Sequence, residues 1–140
     1  MLAVFWGLLG CQDQPSLEDA RAVVRRAKIQ EYRDRIPDFA RARCAARVPP
    51  GEDPPPDCLE AVATLFEAVA DRIERVDPAL ERSAHAIGTV CMQRALRASQ
   101  SDDESTAAID HFVDALRGGP ACVEEYYQML VRGEWQPFAR

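Results

Sequence analysis

Pro49-Pro50-Gly51-Glu52-Asp53-Pro54-Pro55-Pro56-Asp57 holds five of the ten prolines in the chain, with Cys44 before it and Cys58 after it. Proline lacks a backbone N–H, and its ring clashes with the preceding helical turn. No regular helix and no central strand can therefore run through this segment. It favours stiff polyproline II and reads as a rigid connector over residues 49–57. A recognition element is the alternative use of such a segment, but its P-x-x-P spacings follow from composition alone. Whatever lies on either side must fold as separate elements and turn back through this loop.

Both sides carry helical spacing, and no alternating strand pattern persists anywhere. Ser16 offers an N-cap, with Asp19 three residues on. Leu17, Ala20, Val24, Ala27, Tyr32 and Ile36 roughly follow one face of the first helix. Pro37 is expected to kink or break it, leaving a shorter piece from Asp38 to about Val48 that carries Cys44. Beyond the loop, Asp57 is expected to cap a second helix, with Glu60 at its third position. Leu59, Val62, Phe66, Val69, Ile73 and Val76 then recur at alternating steps of three and four, a heptad-like seam. Such a stripe is read as the domain's own core face rather than a seam for another chain.

Asp77-Pro78 restarts the chain as N-cap and first helical residue. Leu80, Ala84, Ile87 and Cys91 form its face, and Gly88 would permit close helix approach. Ser101 and Glu104 offer the next capping box. Ile109, Phe112, Val113 and Leu116 give a fourth apolar face, which Gly118-Gly119 should end. Pro120 should open a last helix, with Glu124 and Glu125 near its start and Gly133 at its stop. Trp135 and Phe138 then lie in a tail expected to tuck against the bundle. The fold class is thus all-α, a small bundle of about five helices, forming one domain over residues 16–140.

The chain has 140 residues, enough for one domain with a sizeable core. Its formal net charge is −6, which argues against general nucleic-acid binding. That charge is uneven. Residues 1–50 hold nine basic and six acidic residues, whereas residues 51–140 hold eight and seventeen. The first helix is therefore expected to pack its basic groups against the acidic remainder. The sharper alternative puts a basic face near anionic headgroups.

Five cysteines are present. Leu8-Leu9-Gly10-Cys11 follows the apolar run Met1-Leu2-Ala3-Val4-Phe5-Trp6-Gly7 and precedes the polar residues Gln12-Asp13-Gln14-Pro15-Ser16. This stretch resembles the lipobox of bacterial lipoproteins. Leu8 stands at the large-aliphatic position, Gly10 before the cleaved bond and Cys11 at the lipidated thiol. No Lys or Arg precedes Arg21, a departure from the basic start of that family's signals. The resemblance implies a signal segment over residues 1–10, a tether over 11–15 and a membrane attachment through lipidated Cys11. It also implies a place in the cell envelope. Gln12 after the cysteine resembles the outer-membrane sorting case, facing the periplasm or the cell surface in a Gram-negative cell. Small helical lipoproteins that pilot secretion systems fit the same general description.

Setting Cys11 aside leaves Cys44, Cys58, Cys91 and Cys122. An even number in an exported domain reads as two disulfides. Three pairings are possible; the helix layout favours Cys44–Cys58 across the Pro-rich loop and Cys91–Cys122 between the third helix and the last. No Cys/His grouping has zinc spacing, so neither a metal nor a cofactor is expected. Of the two histidines, His85 shares a helical face with Glu81. His111 lies beside Asp110 and three residues before Asp114. Two nearby ligands without a third make a weak metal or acid–base site. No G-x-S-x-G, phosphate loop or H-E-x-x-H occurs. Carboxylate pairs such as Asp71/Glu74 and Glu124/Glu125 are ordinary in an acidic helical protein. Tyr126-Tyr127 would put one ring in the core and one outside.

The expected function is therefore non-enzymatic: a lipid-anchored envelope protein acting as a structural, accessory or assembly subunit by binding another envelope protein. No small-molecule substrate is identified. The alternatives are a small-ligand-binding module or minor enzyme that uses His85 or His111, and a soluble, non-exported helical protein.

Overall fold

The computed structural model describes residues 16–100 and 107–138. Within them lie five α-helices and no strand: α1 Leu17–Ala45, α2 Pro56–Arg75, α3 Glu81–Ala98, α4 Ala107–Arg117 and α5 Gly119–Val131. A 3₁₀ turn, Pro78–Leu80, leads into α3. The expected all-α bundle is what forms. The capping box at Ser101 and Glu104 lies outside the described residues.

α2 is the hub, packing against each of the other four helices. Its expected seam is buried from Val62 to Val76, with Leu59 half-covered. Cys58, Leu65 and Ala70 are buried as well. A helix surrounded by neighbours buries more than the single stripe that its spacing advertises. α3 and α5 pack together on one side of α2, and α1 forms the most extensive pair with it on another.

α1 runs without interruption from Leu17 to Ala45, with Pro37 inside it, so the expected break does not occur. Pro37 faces solvent, whereas Ile36 and Ala40 beside it are buried. Packing against α2 on both sides of Pro37 holds the helix together across the one missing hydrogen bond. Ser16 caps α1 as expected, its Oγ accepting from the Asp19 N–H at 3.1 Å. The expected inner face of α1 is wrong in its first half. Leu17, Ala20, Val24 and Ala27 are exposed, and the first buried residue is Ile29. The core-facing set is Ile29, Ile36, Ala40 and Cys44, with Tyr32 and Phe39 partly covered.

The Pro-rich connector ends earlier than expected. α2 begins at Pro56, which fits the first helical turn because its absent N–H would have no partner there. Asp57 is thus inside the helix rather than its cap. Its Oδ1 accepts from the Cys58 N–H at 3.0 Å, and its charge suits the helix start. Asp77 caps the next turn as expected, Oδ1 accepting from the Ala79 N–H at 2.9 Å.

Two glycines mark close approaches. A Cβ on Gly88 would lie 3.2 Å from Cε1 of Phe66, and one on Gly119 would lie 2.8 Å from Cδ1 of Leu65. Gly119 is therefore the first residue of α5, packed onto α2, and not the terminator of α4. Gly133 does stop α5, at φ +75°. The Glu134 N–H donates to Met129 O and the Gly133 N–H to Leu130 O, a Schellman closure.

The two expected disulfides are both present. Cys44–Cys58 spans Cα atoms 6.0 Å apart and Cys91–Cys122 spans 5.9 Å. The first closes the Pro-rich loop and ties the end of α1 to the start of α2. The second joins α3 to α5. All four cysteines are buried.

Candidate functional site

Lipidation at Cys11 falls outside the described residues, as do the signal segment and tether that precede Ser16. The surface nearest that segment in the chain is the first half of α1. Leu17, Val23 and Val24 are 67%, 57% and 54% exposed, three of the five large apolar side chains that stand exposed among the described residues. A groove of about 1140 Å³ runs along this half of the helix. Leu17, Ala20 and Val24 line it together with Arg21, Arg26 and Lys28, and Glu74, Pro78 and Glu81 close one side.

The basic residues of α1 divide into two sets. Arg33 packs inward against the acidic face of α2, donating to Glu67 at 2.6 Å and to Asp71 and Glu74 at 2.9 Å each. Hydrogen bonds to Asp71 and Glu74 push its pKa further above the usual guanidinium value. Arg25 reaches the C-terminal end of α2, where Nη2 donates to Ile73 O at 2.6 Å and Val76 O at 2.5 Å. These are carbonyls that a helix end otherwise leaves without partners. This much of the uneven charge is used inside the bundle, as expected. Arg21, Arg26 and Lys28 are exposed and make no salt bridge among the described residues.

His85 is exposed on α3, and its ring meets Tyr32 of α1 edge-on, centroids 5.3 Å apart. A small cleft of about 260 Å³ surrounds it, lined by Tyr32, Phe39, Lys28, Glu31, Arg35 and Glu81. Partial desolvation lowers the His85 pKa, and the negative charge of Glu81 opposes that shift. Burial raises the Tyr32 pKa, and Glu67 adds to this. The result is an aromatic contact between helices with one titrating edge. His111 is exposed on α4. Asp114 beside it is engaged by Arg117 at 3.1 Å. Among the described residues no group of three His, Cys, Asp or Glu side chains could hold a metal ion.

The remaining residues singled out from the sequence take structural positions. Asp71 and Glu74 receive Arg33. Glu124 pairs with Arg72 and Glu125 with Arg94. Tyr126 and Tyr127 are both half-buried. Tyr126 stacks edge-on with Trp135 at 5.1 Å, and Arg72 lies 5.0 Å over Tyr127. Trp135 tucks in as expected. Phe138 stays 49% exposed, with Arg82 4.1 Å above its ring.

The feature that sequence reasoning missed is the overhang of α1. The available signal was the cluster Arg21, Arg25, Arg26 and Lys28 interrupting the proposed apolar face. No helix among the described residues is long and apolar enough to cross a membrane. No family model, curated protein or solved structure matches this chain.

Proposed function

We propose that the protein is a lipid-anchored envelope lipoprotein that acts as a structural, accessory or assembly subunit through contacts with another envelope protein, and not through catalysis. The observation that carries this reading is the pairing of the cysteines. Cys44–Cys58 and Cys91–Cys122 use every cysteine but one. Disulfides persist in oxidising compartments outside the cytoplasm. The remaining cysteine is Cys11, in the lipobox-like sequence Leu8-Leu9-Gly10-Cys11. The export argument and the lipidation argument come from different parts of the chain and agree. The bundle supports the accessory role: it is a rigid, doubly stapled body whose helices turn charged faces outward.

Intact-protein mass spectrometry of the native membrane fraction, with and without reduction, tests this reading. The expected species starts at Cys11, carries added acyl mass and gains four hydrogens on reduction. Crosslinking in the same fraction should then capture an envelope protein. An unprocessed chain with five free thiols would overturn the proposal.

A further inference from the structure

The first twelve residues of α1, Leu17–Lys28, include no buried residue. At a rise of about 1.5 Å per residue they form roughly 18 Å of helix that adds nothing to the core. At 100° per residue, Leu17, Ala20, Val23, Val24 and Ala27 lie on the side of α1 turned away from Ile29, Ile36 and Ala40. Along one edge of it, beside the groove that Glu74, Pro78 and Glu81 close, Leu17, Arg21, Val24 and Lys28 follow one another at steps of four, three and four, so apolar and basic side chains share a single stripe. Of the two acids of the segment, Glu18 lines the same groove and Asp19 projects from the opposite side of the helix.

We infer that this stripe lies on an anionic lipid surface, with the apolar side chains among the acyl chains and Arg21 and Lys28 at the headgroups. The inference rests on the proposed lipid anchor and adds a second attachment to it. Three arguments select a membrane as the occupant. The first is charge. Basic side chains next to apolar ones suit an interface, where long stems bury and charged ends reach the headgroups. Residues 51–140, in contrast, carry eight basic and seventeen acidic residues and would be repelled by the same surface. The second is chain length. Only Gln12 to Ser16 separate Cys11 from α1, and five extended residues span at most about 17 Å. A lipid on Cys11 therefore keeps the stripe next to a bilayer. The third is direction. Leu17, Ala20, Val24 and Ala27 face away from the buried side of α1, so α1 can lie along the surface with the bundle above it. Attraction of roughly 1 kcal/mol per basic residue near an anionic surface is enough to set that orientation.

The test uses the full chain with Cys11→Ser, so that no acyl chain masks the weaker contact. Co-sedimentation is measured on vesicles of phosphatidylglycerol with phosphatidylcholine and on phosphatidylcholine alone. The comparison is with the same chain carrying R21E and K28E, and with one carrying L17S and V24S. All four positions are exposed, and circular dichroism checks that the helices persist. Charge reversal should weaken binding to the anionic vesicles by at least about tenfold and leave binding to the neutral vesicles unchanged. High salt should act in the same direction. The serine variant should also bind less. Equal binding of parent and charge-reversed chains to anionic vesicles would overturn the inference. So would a concentration-dependent dimer abolished by V24S, which would assign the stripe to a second copy. Native protein without acyl mass, alongside charge-dependent binding of the Cys11→Ser chain, would separate failure of the anchor from failure of the stripe.

Discussion

Gly119 and Gly88 show how single residues set the spacing of this bundle. A methyl group on Gly119 would press on Leu65, which is fully buried and has little room to move. Gly119→Ala should therefore cost about 1–3 kcal/mol by overpacking. Gly88→Ala should cost less, because its nearest contact, on Phe66, is 3.2 Å away. Gly118→Ala should change little, since only Ala115 O at 3.5 Å lies nearby. Urea denaturation of the three variants should rank them in that order. His85 makes a different residue-level prediction. Its pKa is lowered by desolvation beside Tyr32, so the folded state binds this proton less readily than the unfolded chain, whose value is about 6.5. The stability tied to the neutral ring is present above about pH 6.5 and declines as the pH falls through that value. NMR titration should give a His85 midpoint below 6.5, and His85→Gln should flatten this part of the pH–stability curve.

At the scale of elements, the α1–α2 pair carries most of what is specific to this fold. Arg33 bridges three carboxylates spaced along one face of α2. Its side chain is only 22% exposed, so the cluster is worth more than an ordinary surface pair. Arg33→Ala should cost about 1–2 kcal/mol, because it also leaves Glu67, Asp71 and Glu74 repelling one another. The loss should shrink in high salt, where that repulsion is screened. Pro37 predicts the opposite sign. It sits exposed in the middle of α1 and removes one helical hydrogen bond. Pro37→Ala should raise stability by about 1–3 kcal/mol and leave the helix content unchanged by circular dichroism. A drop in stability would mean that packing depends on the local shape that proline imposes. Pro37 also shows why the sequence misled here. Local chemistry argues for a break, and only the burial of Ile36 and Ala40 against α2 shows what holds the helix through it.

For the whole molecule, the two staples constrain different loops. Cys44–Cys58 closes 14 residues and Cys91–Cys122 closes 31. In the chain-entropy account these are worth about 3 and about 4 kcal/mol. Together they rival the entire net stability of a typical domain, about 5–15 kcal/mol. Replacing the second pair with serine should therefore lower the melting temperature more than replacing the first. Replacing both should leave a bundle that is largely unfolded at about 37 °C, which circular dichroism would show as lost helix signal. The resistance that these staples confer suits a protein kept outside the cytoplasm, as proposed.

The number and order of the helices, the caps at Ser16 and Asp77, the stop at Gly133, the seam of α2 and both disulfides were legible in the sequence. Each depends on local spacing or on the few partners that the cysteine layout allows. The heptad-like seam marked a core face of α2, but neither its central place among the other four helices nor the burial of a second face through Leu65 and Ala70. What the chain cannot specify locally is which side of a long helix meets its neighbour, and over what length. Leu17, Ala20 and Val24 look like core by spacing and become surface because they lie on the side of α1 turned away from Ile29, Ile36 and Ala40. The uneven charge says that basic groups of α1 meet the acidic remainder, but not that Arg33 takes three carboxylates of α2 and Arg25 the carbonyls at its end. Those outcomes follow from where α1 crosses α2, and that crossing is set by the packing of all five helices together.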